Sequence, residues 1–361
     1  MKRFTSMGLV CTMLCAAPLV LAQNAAPDWI ALQDGKSLAG WKAGKRPESW
    51  VVEEGAFVTR GGPSHLFYVG KVGKHDFRNF EFSAEVMTSP GANSGIYVHT
   101  RLDPREDWPS AGYELQVINS NPPAGKMDGY IEHKMTGSIY AVRNTWVAPA
   151  KDNEWFNYRI KVVGKTIQTF INGKLICEYA EPANAYRPDD KKLRLLGSGT
   201  FALQAHDPGS VVRYRDMKVK ILPDDAAPPA GLVPLADREL DRLVTQASND
   251  NIPLIDLGLA PPASGADEFW STLRRHGITA GVELAHAANL RPASGLLLIV
   301  DDARAPDIAL LKAAKAAGIG VVFNAGDDGG FDQAQFKRRL QAIQAAGLRW
   351  QDFWVPGKSG S

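Results

Sequence analysis

The sequence predicts a mainly β protein, a two-sheet sandwich of jelly-roll type, followed by a smaller α/β domain. Three observations carry this. From Trp29 to Leu222, short runs alternate apolar and polar residues between Gly, Pro and Asn turns, with no helical pattern among them; such a series of strands packs as two sheets. The segment PDDAAPPAGLVP, Pro223 to Pro234, is rich in Pro and Ala and reads as a linker. Beyond it, apolar strand-like runs alternate with helical patterns, as in a parallel α/β sheet. A length of 361 residues accommodates two such domains.

Taken in order, residues 1–22 read as an export signal. Lys2 and Arg3 precede an apolar run from Met7 to Leu21, and Val20-Leu21-Ala22 forms a small-residue cleavage site. The apolar run is too short for a stable membrane anchor. The mature chain is expected to start at Gln23 and to be periplasmic or secreted. Loss of Lys2 and Arg3 takes the formal net charge of +2 to zero. A neutral chain without basic runs argues against nucleic acid and anionic membranes as partners. Cys177 alone remains of the cysteines, which excludes an internal disulfide, and its setting in KLICEY is that of a buried, inert thiol.

The domain at 23–222 holds the candidate strands SWVVEEGAFVT, FRNFEFSAEVMT, GIYVHTR, GYELQVI, GSIYAV, FNYRIKVVG, TIQTFING, GTFALQAH and VVRYRDMKVKIL. Asn172-Gly173 suits the positive φ angles of a two-residue hairpin turn. The linker spans 223–234 and the α/β domain 235–361. That last domain offers the strands IPLIDLGL, ITAGVEL, GLLLIVD and GVVFNAG, and helical patterns of which two close on Gly318 and Gly347.

Three of the β strands carry unusual side chains. Alternate residues of a strand point to opposite faces. In GIYVHTR, Tyr97, His99 and Arg101 oppose the apolar set; in GYELQVI, Glu114 and Gln116 do; in FALQAHD, Gln204 and His206 do. If these strands are neighbours, their polar groups converge on one rigid face. Trp108, Tyr130, Tyr140 and Trp146 supply aromatic groups suited to sugar rings.

The ordered blocks DGKSLAGWK, NSGIYVHTR, GYELQVI, TGSIY, WFNYRIKVVGKTIQTFING, FALQAHD and VRYRDMKVKIL resemble the 3-keto-disaccharide hydrolase family over roughly Trp29 to Leu222. The resemblance implies a concanavalin-like jelly roll, secretion, and an enzyme, a hydrolase or lyase, acting on glycosides or disaccharides oxidised at C3. A C3 ketone makes the C2 proton acidic. A base can remove it, the enolate can expel the C1 substituent, and water can add back. That chemistry asks for a general base and for groups that hold an enolate oxygen, not for the carboxylate pair of ordinary glycosidases. Glu114 and His206 are the candidate catalytic residues. His99, Arg101 or a divalent cation could hold the enolate, although no His/Asp/Glu spacing marks metal ligands. Asn93, Gln116 and Gln204 could hold sugar hydroxyls, with Trp108 and Tyr140 against the ring. Arg215 matches a family position, either as a substrate contact or as a carboxylate's partner inside the sandwich. Two other classes fit the same residues: a non-catalytic carbohydrate-binding module, and a scaffold docking a partner sugar oxidoreductase.

The C-terminal region is similar to the polymerase-and-histidinol-phosphatase type of metal hydrolase domain. There the first strand ends in Asp-Leu-His-x-His; here it reads Asp256-Leu257-Gly258-Leu259-Ala260. Gly258 and Ala260 cannot ligate through side chains, so this domain is expected to lack metal.

Overall fold

The computed structural model describes residues 28–121, 132–145, 148–234 and 238–249. Beyond these it describes the strand segments 255–256, 280–283, 296–301, 320–324 and 353–354 and single positions between them. The first part is a β-sandwich of antiparallel sheets. Its strands are β1 (Ile30–Ala31), β2 (Trp41–Ala43), β3 (Trp50–Glu53), β4 (Ala56–Thr59), β5 (Ser64–Tyr68), β6 (Phe80–Thr88), β7 (Ser94–Thr100), β8 (Tyr113–Val117), β9 (Phe156–Val163), β10 (Thr166–Ile171), β11 (Lys174–Ala180), β12 (Thr200–Ala205) and β13 (Val212–Ile221). The larger sheet runs β11-β10-β9-β6-β13-β4-β3, with β1 also on β13; the smaller runs β2-β5-β12-β7-β8.

The two sheets bury their apolar parities against each other. Phe80, Phe82, Val86, Tyr158 and Tyr214 of the larger sheet meet Leu66, Ile96, Val98, Leu115 and Leu203 of the smaller. Asn172 and Gly173 take the positive φ angles expected of the β10–β11 turn. Cys177 is buried, and burial pushes its thiol up to about 12.

The outer faces of the two sheets differ. In β9 and β13 buried residues alternate with partly exposed ones, which is a solvated outer face. In β5, β7, β8 and β12 every residue is buried. The polar residues of the smaller sheet therefore lie under cover, and burial of polar groups requires partners.

Two strand expectations are corrected. The run GSIYAV is a turn: Ile139 makes isolated bridges to Leu115 and Arg143, and Gly137 and Ala141 take positive φ. Strand β5, SHLFY, was not among the candidates, and it sits in the middle of the smaller sheet.

After the sandwich, Asn79 donates its amide to the carbonyls of Pro223 and Asp224, which binds the start of the Pro-rich segment. A helix, α1 (Arg238–Asn249), then lies on the sandwich. Asp241 pairs with Arg143 at 3.0 Å, and Asn144 donates to the Ser248 carbonyl at 2.8 Å. Further on, β14 (Ile255–Asp256), β15 (Ala280–Glu283), β16 (Leu296–Asp301), β17 (Gly320–Asn324) and β18 (Phe353–Trp354) pair in parallel in that order. Gly258 and Ala260 fall outside the described residues. Among the described residues no helix is long and apolar enough to cross a membrane.

Candidate functional site

The outer face of the smaller sheet is built by its register. Tyr97 stands opposite Glu114, Gly95 opposite Gln116, Ala202 opposite Tyr97 and Gln204 opposite His65. Each pair places side chains within reach of each other on one face. Four adjacent strands thus deliver His65, Gln204, Tyr97, Glu114 and Gln116 side by side.

Glu114 is fixed from two sides. Gln204 Nε2 donates to its Oε1 at 2.9 Å, and Arg194 Nη2 lies 3.5 Å from its Oε2. Gln204 Nε2 also reaches the Tyr97 hydroxyl at 3.2 Å. The Tyr97 phenol is held well above its usual range by burial and by the Glu114 charge. The carboxylate lies across β7 because Gly95 has no side chain: a Cβ there would be 2.8 Å from Glu114 Oε1.

Arg194 comes from the loop between β11 and β12, and buried charge holds that loop. Glu181 accepts from the Leu196 amide at 2.9 Å, from Lys165 at 2.8 Å and from the Tyr113 hydroxyl. Arg187 Nε donates to the Arg194 carbonyl at 2.7 Å. Tyr140 is placed by its amide, which donates to the Glu114 carbonyl at 2.9 Å. Its ring lies 5.4 Å from the Arg194 guanidinium and 4.8 Å from Lys134 Nζ, and its hydroxyl reaches Glu132. Burial pulls the Lys134 ammonium down.

The other end of the face is aromatic. His65 is buried, with its ring 5.2 Å from Tyr97 and 5.3 Å from Trp108. Desolvation lowers its pKa to about 3, so the ring is neutral. Trp108 is 45% exposed and also stands 5.4 Å from His206. His206 Nδ1 bonds Asp207 Oδ2 at 2.9 Å. A row therefore runs from Arg194 and Glu114 through Gln204, Tyr97, His65 and Trp108 to His206.

Five buried polar atoms of this row and its flank have no hydrogen-bond partner among the described residues: Gln116 Oε1, Gln204 Oε1, Arg194 Nη1 and both His65 nitrogens. Buried groups with unmet hydrogen-bonding capacity, gathered on one face, suit a polyhydroxylated ligand. Among the described residues, no three or more His, Cys, Asp or Glu side chains gather as a metal set, so the divalent cation is given no ligands.

Of the residues expected here, Glu114, Gln116, Gln204, Trp108, Tyr140 and His206 come together. Asn93 lies behind the face: it accepts from Gln116 Nε2 at 3.1 Å and orients that amide. Three expectations fail. His99 points into the sandwich, because Val98 and His99 together oppose Phe201 in a bulge, with His99 at φ 54°. Its Nε2 donates to the Arg78 carbonyl at 3.0 Å, its Nδ1 accepts from Gly197 at 3.0 Å, and Phe80 packs on its ring. Arg101 is exposed beyond the end of β7. Arg215 lies on the outer face of the larger sheet, 3.8 Å from the Trp155 ring. Tyr130 and Trp146 fall outside the described residues. His65, Tyr97 and Arg194 were not foreseen as site residues.

The fold is a jelly-roll-like sandwich with one covered polar and aromatic face, and its family match places it among carbohydrate-active proteins. The model of the 3-keto-alpha-glucoside-1,2-lyase-like domain matches residues 28–220, and the chain belongs to that family. Among solved structures it is similar to a candidate glycosyl hydrolase from Parabacteroides distasonis, at 21% identity over 54% of this chain and 94% of that one, with a TM-score of 0.46. A carbohydrate-binding module from Bacillus subtilis matches at 10% identity over 50% of this chain and 95% of its own, with a TM-score of 0.32. A Bacillus subtilis protein of unknown function with a galectin-like fold matches at 10% identity over 54% and 94%, with a TM-score of 0.38. No curated protein matches the chain.

Proposed function

We propose that the protein is an exported enzyme that cleaves 3-keto glycosides on the outer face of its smaller sheet. The observation that carries the reading is a fixed carboxylate, Glu114, beside buried groups with unmet hydrogen-bonding capacity. Glu114 takes the C2 proton and becomes a carboxylic acid. The electron pair of that C–H bond forms the enolate, whose oxygen draws on the positive charge of Arg194. As the C1–O bond breaks, His206 in its imidazolium form gives the Nε2 proton to the departing oxygen, leaving an unsaturated 3-keto sugar and an alcohol. Water then adds to C1 and returns a proton to His206, and Glu114, whose carboxylic proton has exchanged with solvent while the unsaturated sugar is bound, protonates C2. Trp108 stacks on a sugar ring, and Gln116 and His65 take hydroxyls.

The test is turnover of a panel of 3-keto glucosides in deuterated water. Release of the aglycone with deuterium appearing at C2 of the recovered sugar supports elimination and hydration. Release without deuterium at C2 would mean direct displacement at C1. If no panel member is cleaved but sugars bind, the face is a recognition module.

A further inference from the structure

We infer that Asp207 is a positioning residue: it fixes the ring of His206 so that Nε2 is the nitrogen offered to the departing oxygen. The inference rests on the reading of His206 given above and goes one residue further.

The sequence HDPGS from His206 to Ser210 accounts for a turn. Asp207 Oδ1 accepts from the Gly209 amide at 2.8 Å, the bond by which an Asp ordinarily starts such a turn. That bond leaves Oδ2 unspent. Oδ2 instead takes His206 Nδ1 at 2.9 Å and the Ser210 hydroxyl at 2.7 Å, neither of which the turn requires. Since a carboxylate only accepts, the bond at 2.9 Å puts a hydrogen on Nδ1. Nε2 then holds the ring's lone pair, and it has no partner among the described residues. The His206 side chain is 27% exposed and faces Trp108.

The carboxylate is held more firmly than a surface turn needs. Ser210 is buried; its hydroxyl accepts from the Asn93 amide at 2.8 Å, and its carbonyl accepts from Thr59 at 2.6 Å. Gly62 packs directly on the backbone here: a Cβ on it would lie 2.8 Å from the Asp207 nitrogen. Asn93 also accepts from Gln116 at 3.1 Å. A continuous chain of hydrogen bonds therefore links Gln116, on the sugar face, to the His206 ring. The His206 bond is the first of the causes that hold the Asp207 carboxyl down at about 2, so the pair keeps its negative member charged at working pH. A fixed carboxylate stabilises the imidazolium and sets the tautomer, as in other His–carboxylate pairs.

Asp207→Asn tests this in the full chain. Its carbonyl oxygen can keep the Gly209 bond, while its amide can only donate toward Nδ1, which moves the ring hydrogen to Nε2. Proton donation matters most for a poor leaving group. With alkyl 3-keto glucosides kcat is expected to fall about 10²- to 10³-fold, whereas with the 4-nitrophenyl 3-keto glucoside it falls less than about tenfold. Nitrogen-15 NMR of His206 with the ring neutral should show the Nδ1–H form in the parent and the Nε2–H form in the variant. Equal losses for both leaving groups, or an unchanged tautomer, would overturn the assignment. Should Asp207→Asn not fold, Ser210→Ala removes one support of the carboxylate and should give the same leaving-group pattern at smaller size. If the parent cleaves no 3-keto glycoside, the functional reading falls instead, and the tautomer measurement alone decides whether the pair exists.

Discussion

Gly95→Ala adds one methyl group and should separate activity from stability. The new Cβ would sit 2.8 Å from Glu114 Oε1 and 3.1 Å from its Cγ, inside the 3.4 Å at which ordinary contact begins. Gly95 does not have a left-handed φ, so the backbone tolerates alanine. The flexible carboxylate is what yields, by about 0.6 Å, the gap between those two distances. That movement stretches the bond of 2.9 Å from Gln204. A displacement of about 1 Å at a reacting group costs around 10²-fold in rate, so a loss between roughly 10-fold and 10²-fold in kcat is expected. Stability should change little, because alanine in a strand gains about 0.5–1 kcal/mol over glycine and offsets the weakened hydrogen bond. The assay is kcat on a 3-keto glucoside beside a calorimetric Tm. A kcat within about twofold of the parent, with the fold intact, would mean that the Glu114 position is not critical, and the catalytic reading of this face would lose its main support.

Other outcomes follow from the same geometry. Glu114→Gln keeps shape and hydrogen-bonding capacity but removes the base; kcat should fall about 10²- to 10⁴-fold while sugar binding, measured by calorimetry, persists. Stability should decline on acidification before the carboxylates titrate: desolvation lowers His65 to about 3 and His99 to about 4 from 6.5. Below pH 6.5 the unfolded chain binds protons that the folded rings refuse, so stability falls from there toward about pH 4, by up to ~1.4 kcal/mol per pH unit for each ring. Denaturant midpoints at pH 7, 5.5 and 4.5 should show this, and His99→Gln should reduce the slope by one proton; a midpoint flat across that range would contradict the burial of neutral rings.

The sandwich was legible because alternation in strands is a local signal, and most β strands carry it plainly. The site was legible only in part, since alternation assigns a side chain to a face but says nothing of what covers that face. Glu114 and Arg215 each alternate with apolar neighbours, yet one is buried and the other lies on the solvated side of the opposite sheet. His99 broke the pattern through a bulge set by distant contacts: a Cβ at Gly112 or Gly199 would lie 2.6 Å from its carbonyl carbon. Arg194 reaches Glu114 because Glu181 and Arg187, buried and not strand-patterned with it, hold its loop. His65 was missed with β5 itself, a short strand emerging directly from a Gly-Gly-Pro turn. Each miss traces to contacts remote in sequence, which local periodicity does not record.

The helix α1 shows the same lesson and sets a last test of domain organisation. Its buried residues Asp241, Thr245 and Ser248 are polar, and their partners on the sandwich lie far away in sequence. Asp241 and Thr245 meet Arg143, 1% exposed, which pairs with Asp241 at 3.0 Å and stands 4.6 Å from the Tyr179 ring, while Ser248 takes Asn144. Removing one partner of a buried ion pair leaves an uncompensated charge, at a cost of about 3–5 kcal/mol. Asp241→Ala can meet that cost in two ways. If the helix stays docked, the Tm of the sandwich falls. If docking is worth less than the penalty, the helix releases, Arg143 hydrates and the sandwich keeps its Tm, while amides of 238–249 lose hydrogen-exchange protection. Arg143→Met with Asp241→Leu should restore both readouts, because a matched apolar pair leaves no buried charge. A single Asp241→Ala chain with unchanged Tm and unchanged protection would mean that the pair contributes nothing to docking.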